Sequence, residues 1–285
     1  MGEQKKYSFF RDTIQRLFRN KLATIGLLIL IILVFCAIFA DLIIPYDYKA
    51  QDLRNGLKHP SSEHLFGTDE FGRDIFSRVV YGARISLLIG FIAVGIAVIA
   101  GGILGSIAGY YGGVSDNIVM RSMDVLLAIP SLLLALAIVA ALGPGIVNLM
   151  IATGISTIPG YARVVRASVL SVKDQEFIEA AKAVGTNDFL IILKHILPNC
   201  VAPIIVQATF GVAIAILTAA GLSFIGLGIM PPAPEWGSML SSGRVYMRDH
   251  AYMTIFPGIA IATTIFSLNV LGDGLRDALD PKLKT

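Results

Sequence analysis

The sequence predicts an all-α integral membrane protein with six membrane-spanning helices. Two observations carry that prediction. Of 285 residues, 55% are apolar and only 15% charged, with a mean hydropathy of +0.74, which leaves too little polar surface to face water. The apolar residues are also gathered into uncharged runs of about 20, the length at which a helix crosses the hydrocarbon core with its backbone groups satisfied. No stretch alternates as a membrane barrel requires.

The first span is expected at Leu22 to Ala40, where thirteen Leu, Ile, Val or Phe residues supply roughly 4 to 8 kcal/mol of insertion free energy. The run is longer than the about 7 to 15 residues of a signal-peptide core, so a retained anchor is predicted. The second span covers Ile85 to Tyr111 and the third Ile118 to Leu142. Gly143-Pro144-Gly145 then breaks the hydrogen-bond ladder, placing a fourth at Ile146 to Ala162. A fifth runs from Val201 to Leu227, before Pro231-Pro232-Ala233-Pro234, and a sixth from Ala251 to Gly272. Pro130, Pro159, Pro203 and Pro257 in or beside these spans predict kinks.

With six spans, both termini share a side. If that side is inner, 15 of the 23 Lys and Arg residues face the cytoplasm and 8 face outward, so both termini are expected to be cytoplasmic. The net charge of +3 does not argue for nucleic acid as a partner. Cys36 and Cys200 lie in apolar stretches and imply neither a disulfide framework nor a zinc site, and the four histidines form no metal-ligand pair.

Ion-coupled carriers and membrane proteases need ionisable or nucleophilic groups at mid-depth, and no such constellation is evident. Arg121 and Asp124, three apart on one helix face, suit a structural pair near the inner boundary or a place on the passage. Asn269 in the sixth span suits either a hydrogen bond across helices or the lining of a passage. Ala93, Ala97, Gly101, Gly105 and Gly109 recur every fourth residue and predict a smooth stripe for close helix packing, within the subunit or against another.

The inner connection from Arg163 to Asn199 reads as helical. Ser171-Val172-Lys173-Asp174 has the form of a capping box, opening a helix that Gly185 ends in a left-handed turn, with Phe177, Ala180, Ala181 and Val184 on one face. A second helical stretch is expected from Asp188 to Leu197, with Pro198 ending it. The string Glu179-Ala180-Ala181, then Gly185, then Leu197-Pro198, resembles the cytoplasmic signature of ATP-binding-cassette (ABC) importer permeases. That resemblance implies a coupling helix seated in a groove of an ATP-hydrolysing subunit. Glu179 would then hold the loop through charge-assisted hydrogen bonds to a neighbouring Arg or backbone donors. No GxxxxGK[ST] phosphate loop occurs, so ATP and Mg are expected on a partner ATPase, with no cofactor, metal or catalytic residue in this chain.

Phe66-Gly67-Thr68-Asp69 through Gly72-Arg73-Asp74 is similar to the outer segment of the second permease subunit of dipeptide, oligopeptide and nickel importers. Further similarity lies in Ala108 to Gly113, Leu222 to Gly228, Pro234-Glu235-Trp236-Gly237 and Leu271 to Asp277. Where that family often carries a Glu, this chain has Ala219. The resemblance implies the type I ABC importer permease fold over residues 81–285, with the coupling loop at about 163–199. An anchor region at 1–44 and an outer segment at 45–80 would precede it. Also implied are a second, homologous permease, one or two ABC ATPase subunits and an extracytoplasmic solute-binding protein, in a bacterial or archaeal cytoplasmic membrane. Cargo would be a di- or oligopeptide, or alternatively nickel or another small solute. An ion-driven carrier acting alone is the competing class, and an exporter permease would lack the outer segment. Trp236, the only tryptophan, is expected at the outer interface or facing the binding protein.

Overall fold

The computed structural model describes residues 9–279, with side chains described from residue 13. Among them every regular element is a helix, and extended backbone pairs only at an isolated bridge between Thr68 and Asp74. Helices α1 (Phe9–Arg19) and α2 (Lys21–Ile38) part at Asn20, whose side-chain oxygen accepts from the Leu22 and Ala23 N–H groups at 3.1 and 3.2 Å. The N-terminal tail thus carries a helix that hydropathy alone does not reveal. Leu17 holds it against Ala23, Leu271 and Ala278. Along α2 only Ala23, Gly26 and Ala37 are buried, while Leu22, Ile25, Leu28, Ile31, Ile32 and Phe35 point outward, a surface suited to acyl chains.

After α3 (Ala40–Ile43), residues 44–74 form a packed cap rather than an open loop. Asp69 accepts from the Phe71 and Arg73 N–H groups at 2.9 Å and from Arg73 Nε at 2.6 Å. Gly67 and Gly72 take φ of +77° and +73°, and a Cβ on Gly72 would run into the Asp52 carbonyl. Asp74 then caps α4 (Ile75–Tyr111) by accepting from Ser77 N–H at 2.8 Å. That cap starts the helix ten residues before the expected second span. At 37 residues α4 is about 55 Å long, well beyond the hydrocarbon core, so its first turns belong to the cap.

The expected third span is not one helix. It divides into α5 (Gly113–Leu127) and α6 (Ser131–Leu142), inclined at 88°, because Pro130 lacks a backbone N–H and disfavours helical geometry at Ile129. Gly143 and Gly145, with φ of +88° and +146°, separate α6 from α7 (Ile146–Val172) as the sequence predicts. Then come α8 (Glu176–Ala183), α9 (Asp188–Ile191), a π-helical turn at Ile192–Ile196 and α10 (Leu197–Phe224). Last are α11 (Trp236–Gly243) and α12 (Tyr252–Leu279). Among the described residues α2, α4, the stretch from α9 through α10, and α12 are long and apolar enough to cross a membrane, and the bent α5–α6 pair would make a fifth. α7 has the length, at 27 residues, but carries more polar side chains, including Asn148, Thr153, Ser156 and Arg163.

The small-residue stripe packs within the subunit. Gly101, Gly105 and Gly109 lie against α7, where a Cβ on Gly101 would stand 2.6 Å from Tyr161 Cβ and one on Gly109 2.8 Å from Val169 Cβ. Trp236 corrects an expectation. It is 1% exposed, not interfacial, because its indole N–H donates to Val79 O at 3.0 Å and its ring fills the space beside Gly82. Ala219 is buried among Val139, Leu149 and Leu222, an apolar site that would leave a Glu carboxylate without water.

Beside that tryptophan, Glu235 caps α11 by accepting from the Gly237 and Ser238 N–H groups at 2.8 and 2.9 Å. Burial pushes its carboxyl above the usual range, and those two hydrogen bonds only partly oppose the shift. The folded chain therefore binds this proton more readily than the unfolded one, so the resulting stability is present at low pH and is lost as pH rises through the folded-state value. Glu235→Gln keeps a capping oxygen without the charge and is expected to match or exceed the parent's thermal stability at neutral pH, the gap closing on acidification. Glu235→Ala should lose about 1 kcal/mol. Thermal unfolding in detergent across pH checks both.

Candidate functional site

The C-terminal turns of α7 meet α8 and the start of α10. Val165, Val169 and Val172 pack with Ile178 and Ala181 of α8 and with Ile191, Ile196 and Cys200. Tyr110, at the end of α4, donates to Asp188 Oδ1 at 2.6 Å and ties α9 into the same node. The segment from α8 to α9 is therefore continuous with the long helices through packed side chains.

The predicted capping box does not form. α7 runs on through Val172, the Ser171 hydroxyl donates to Ser168 O at 2.7 Å, and α8 begins only at Glu176 behind an extended Gln175. Gly185 behaves as expected. With φ at +77° it lets Thr186 N–H reach Ala181 O at 3.1 Å while its own N–H reaches Lys182 O at 2.9 Å, the paired bonds that close a helix C-terminus. Pro198 does not end a helix. Leu197 N–H bonds five residues back to Ile192 O, and this π-turn widens the helix where the proline ring would strike Lys194 O, so the helical stretch passes through into α10.

The four residues expected on one face of α8 divide. Ala181 turns inward with Ile178, while Phe177 at 39% exposure, Ala180, and Val184 at 81% face out. Phe189 and Leu193, at 67% and 49% exposure, line a separate apolar groove with Val98, Ile99 and Ile103 of α4. Glu179 is exposed and its carboxylate accepts no hydrogen bond among the described residues, so it does not brace the loop within this chain.

Asp124 pairs with Arg163 of α7 at 2.6 Å and not with Arg121, which is exposed and makes no ion pair among the described residues. A second pair joins Asp116 to Arg166, two nearly parallel bonds of 2.5 and 2.6 Å. The sequence reading missed this pair. Its trace was slight, because the two acids lie two turns apart on α5 while the two arginines lie only one turn apart on α7. Asn269 is exposed on α12 and makes no hydrogen bond to another helix among the described residues.

Such a bundle of long apolar helices, packed at one end onto a short capped helix, has the architecture of a multi-pass membrane protein. The chain belongs to the family described as binding-protein-dependent transport system inner membrane component, whose model matches residues 101–285. Residues 8–60 match the N-terminal TM domain of oligopeptide transport permease C. This is a family of inner-membrane permease subunits of ABC transporters, not of enzymes. A dipeptide transport system permease protein, DppC, of Alkalihalophilus pseudofirmus is 51% identical over 97% of this chain and 91% of its own length. The di/tripeptide permease DppC of Pseudomonas aeruginosa is 46% identical over 93% and 89%. A glutathione transport system permease protein, GsiD, of Escherichia coli is 48% identical over 95% and 89%. Among solved structures, an inward-facing form of the MetNI methionine ABC transporter aligns with a TM-score of 0.58 at 18% identity, over 71% of this chain and 97% of that one. An amino acid ABC transporter aligns at 0.53, with 18% identity, over 73% and 95%.

Proposed function

We propose that the chain is one of two homologous permeases in an ABC importer that carries di- or oligopeptides into the cytoplasm. ATP and Mg are bound by separate ATPase subunits, and a solute-binding protein delivers cargo from outside. The bent α5–α6 pair and α7 each count as one crossing, giving six spans with both termini cytoplasmic. α2 is the added anchor, residues 45–80 are the outer cap and residues 81–285 are the permease domain.

The observation that carries this reading is the outward apolar face of α8. Phe177, Ala180 and Val184 are exposed, yet the helix beneath them is fixed by Ile178, Ala181 and the Gly185 cap. Exposed apolar side chains on a rigid mount suit a protein groove. The peptide cargo is supported by the names and high identity of the relatives.

Cysteine cross-linking in the assembled importer tests it. With Cys36 and Cys200 replaced by alanine and Val184 by cysteine, a short bifunctional reagent is expected to capture an ATPase subunit, with a yield that changes on adding ATP. An active assembly in which Val184→Cys never captures an ATPase would overturn the reading.

A further inference from the structure

α5 is weakly rooted in the bundle. Of its residues only Met123 is buried, so apolar packing does little to fix its position. It is bounded by two joints. Gly112 and Gly113, at φ of +66° and +53°, connect it to α4 with nothing within 4 Å of where a Cβ would stand, and the 88° bend at residues 128–130 leads into α6.

Between these joints two ion pairs cross to α7, Asp116 with Arg166 near the first and Asp124 with Arg163 farther along. Their acids lie about 12 Å apart along the helix, so together they fix both position and angle. Both pairs line an open groove of about 470 Å³ shared with Asn117, Met120 and Arg121. Side chains of Arg163 and Asp124 are 54% and 43% exposed, and those of Arg166 and Asp116 32% and 21%. Exposed ion pairs, where their groove meets water, exchange their partner for solvent at small cost. That property suits a contact that opens and closes better than it suits a permanent brace.

On the far side of the groove, α7 leads after three residues into α8 and shares its apolar core with Ile178 and Ala181. We propose that the Asp116–Arg166 and Asp124–Arg163 pairs form a latch through which movement of α7 is passed to the hinged α5–α6 pair at the inner end of the passage. This rests on the coupling role of α8 for the source of the movement and extends it to a second, ionic joint. The four side chains act as positioning residues, with no contact to cargo required.

The test uses the whole importer in proteoliposomes, reading peptide taken up per ATP hydrolysed. Asp116→Arg and Arg166→Asp alone are each expected to lower that ratio roughly fivefold or more. The exchange of both, Asp116→Arg with Arg166→Asp, should restore most of it, since the attraction survives with its sign reversed. The same pattern is expected for Asp124 and Arg163. The amide variants Asp116→Asn and Asp124→Asn, which keep size and an acceptor, should lower the ratio together without reducing the amount of assembled complex. An unchanged ratio in the single variants, or an exchange that assembles without recovery, overturns the latch. Failure of every variant, amides included, to assemble assigns the pairs to folding and overturns it too. If the latch falls while Val184→Cys still captures the ATPase, the coupling reading stands. Absence of that cross-link in a Val184→Cys assembly whose ion pairs are intact removes the coupling reading by itself.

Discussion

Gly105→Leu is expected to leave almost no folded subunit in the membrane. A Cβ at this position would press on the Ala162 carbonyl oxygen, and would stand 2.8 Å from Val165 Cβ and 3.0 Å from Arg166 N. Two of those three obstacles are backbone and cannot turn aside as a side chain can. The full leucine must therefore push α4 from α7, opening the stripe at Gly101 and Gly109 as well. Overpacking that a core absorbs by side-chain shifts costs about 1 to 3 kcal/mol. Separation of two helices along several turns forfeits many dispersion contacts and should cost several times that, comparable with the about 5 to 15 kcal/mol by which proteins are stable. Gly102 offers the internal control, since nothing lies within 4 Å of its Cβ position. Gly102→Leu should accumulate near the parent level and Gly105→Leu should not, as read by subunit in purified membranes and by co-purified partner subunits. Equal accumulation of the two would show that the α4–α7 contact does not control folding.

The contrast between these neighbouring glycines shows which features the sequence makes legible. A small residue every fourth position announces a close approach, because the spacing is a property of one helix. Which helix comes close depends on tertiary contacts, and α7 could not be named beforehand. Gly185 as a left-handed turn and Gly143 and Gly145 as helix breakers were readable for the same local reason, since a positive φ is set by one residue's sterics. The apolar spans were readable because transfer free energy adds residue by residue. Pro198 misled because a proline closes a helix only if the helix keeps its pitch, and here a π-turn relaxes it. Trp236 misled because an average preference for interfaces gave way to one acceptor, Val79 O, and a space beside Gly82. Asp116 and Arg166 are separated by 50 positions, so nothing local joins them. The cap at residues 44–74 lay between these cases, with its turn glycines visible and the burial of its acids and arginines not.

Gly185→Val is expected to leave insertion and assembly intact while uncoupling ATP hydrolysis from uptake. Nothing lies within 4 Å of the Cβ position, so no clash disturbs the bundle. The cost is conformational, because valine at φ of +77° meets its own backbone, about 1 to 2 kcal/mol for an ordinary side chain and more for a β-branched one. The chain can relieve this by leaving the left-handed conformation, which breaks the Thr186-to-Ala181 and Gly185-to-Lys182 bonds. α8 then loses its fixed exit and the Phe177–Ala180–Val184 face turns relative to Phe189 and Leu193. The ATPase would still find an apolar surface but would push on one that gives way. Loss of 1.4 kcal/mol from a coupled step is about tenfold, so uptake per ATP in proteoliposomes should fall by at least that factor while hydrolysis continues. Gly185→Asn, whose side chain tolerates the left-handed region, should retain most of the parent ratio. That difference separates a requirement for backbone conformation from a requirement for absence of a side chain. Parental uptake per ATP in the valine variant would mean that the rigidity of this turn does not carry the stroke.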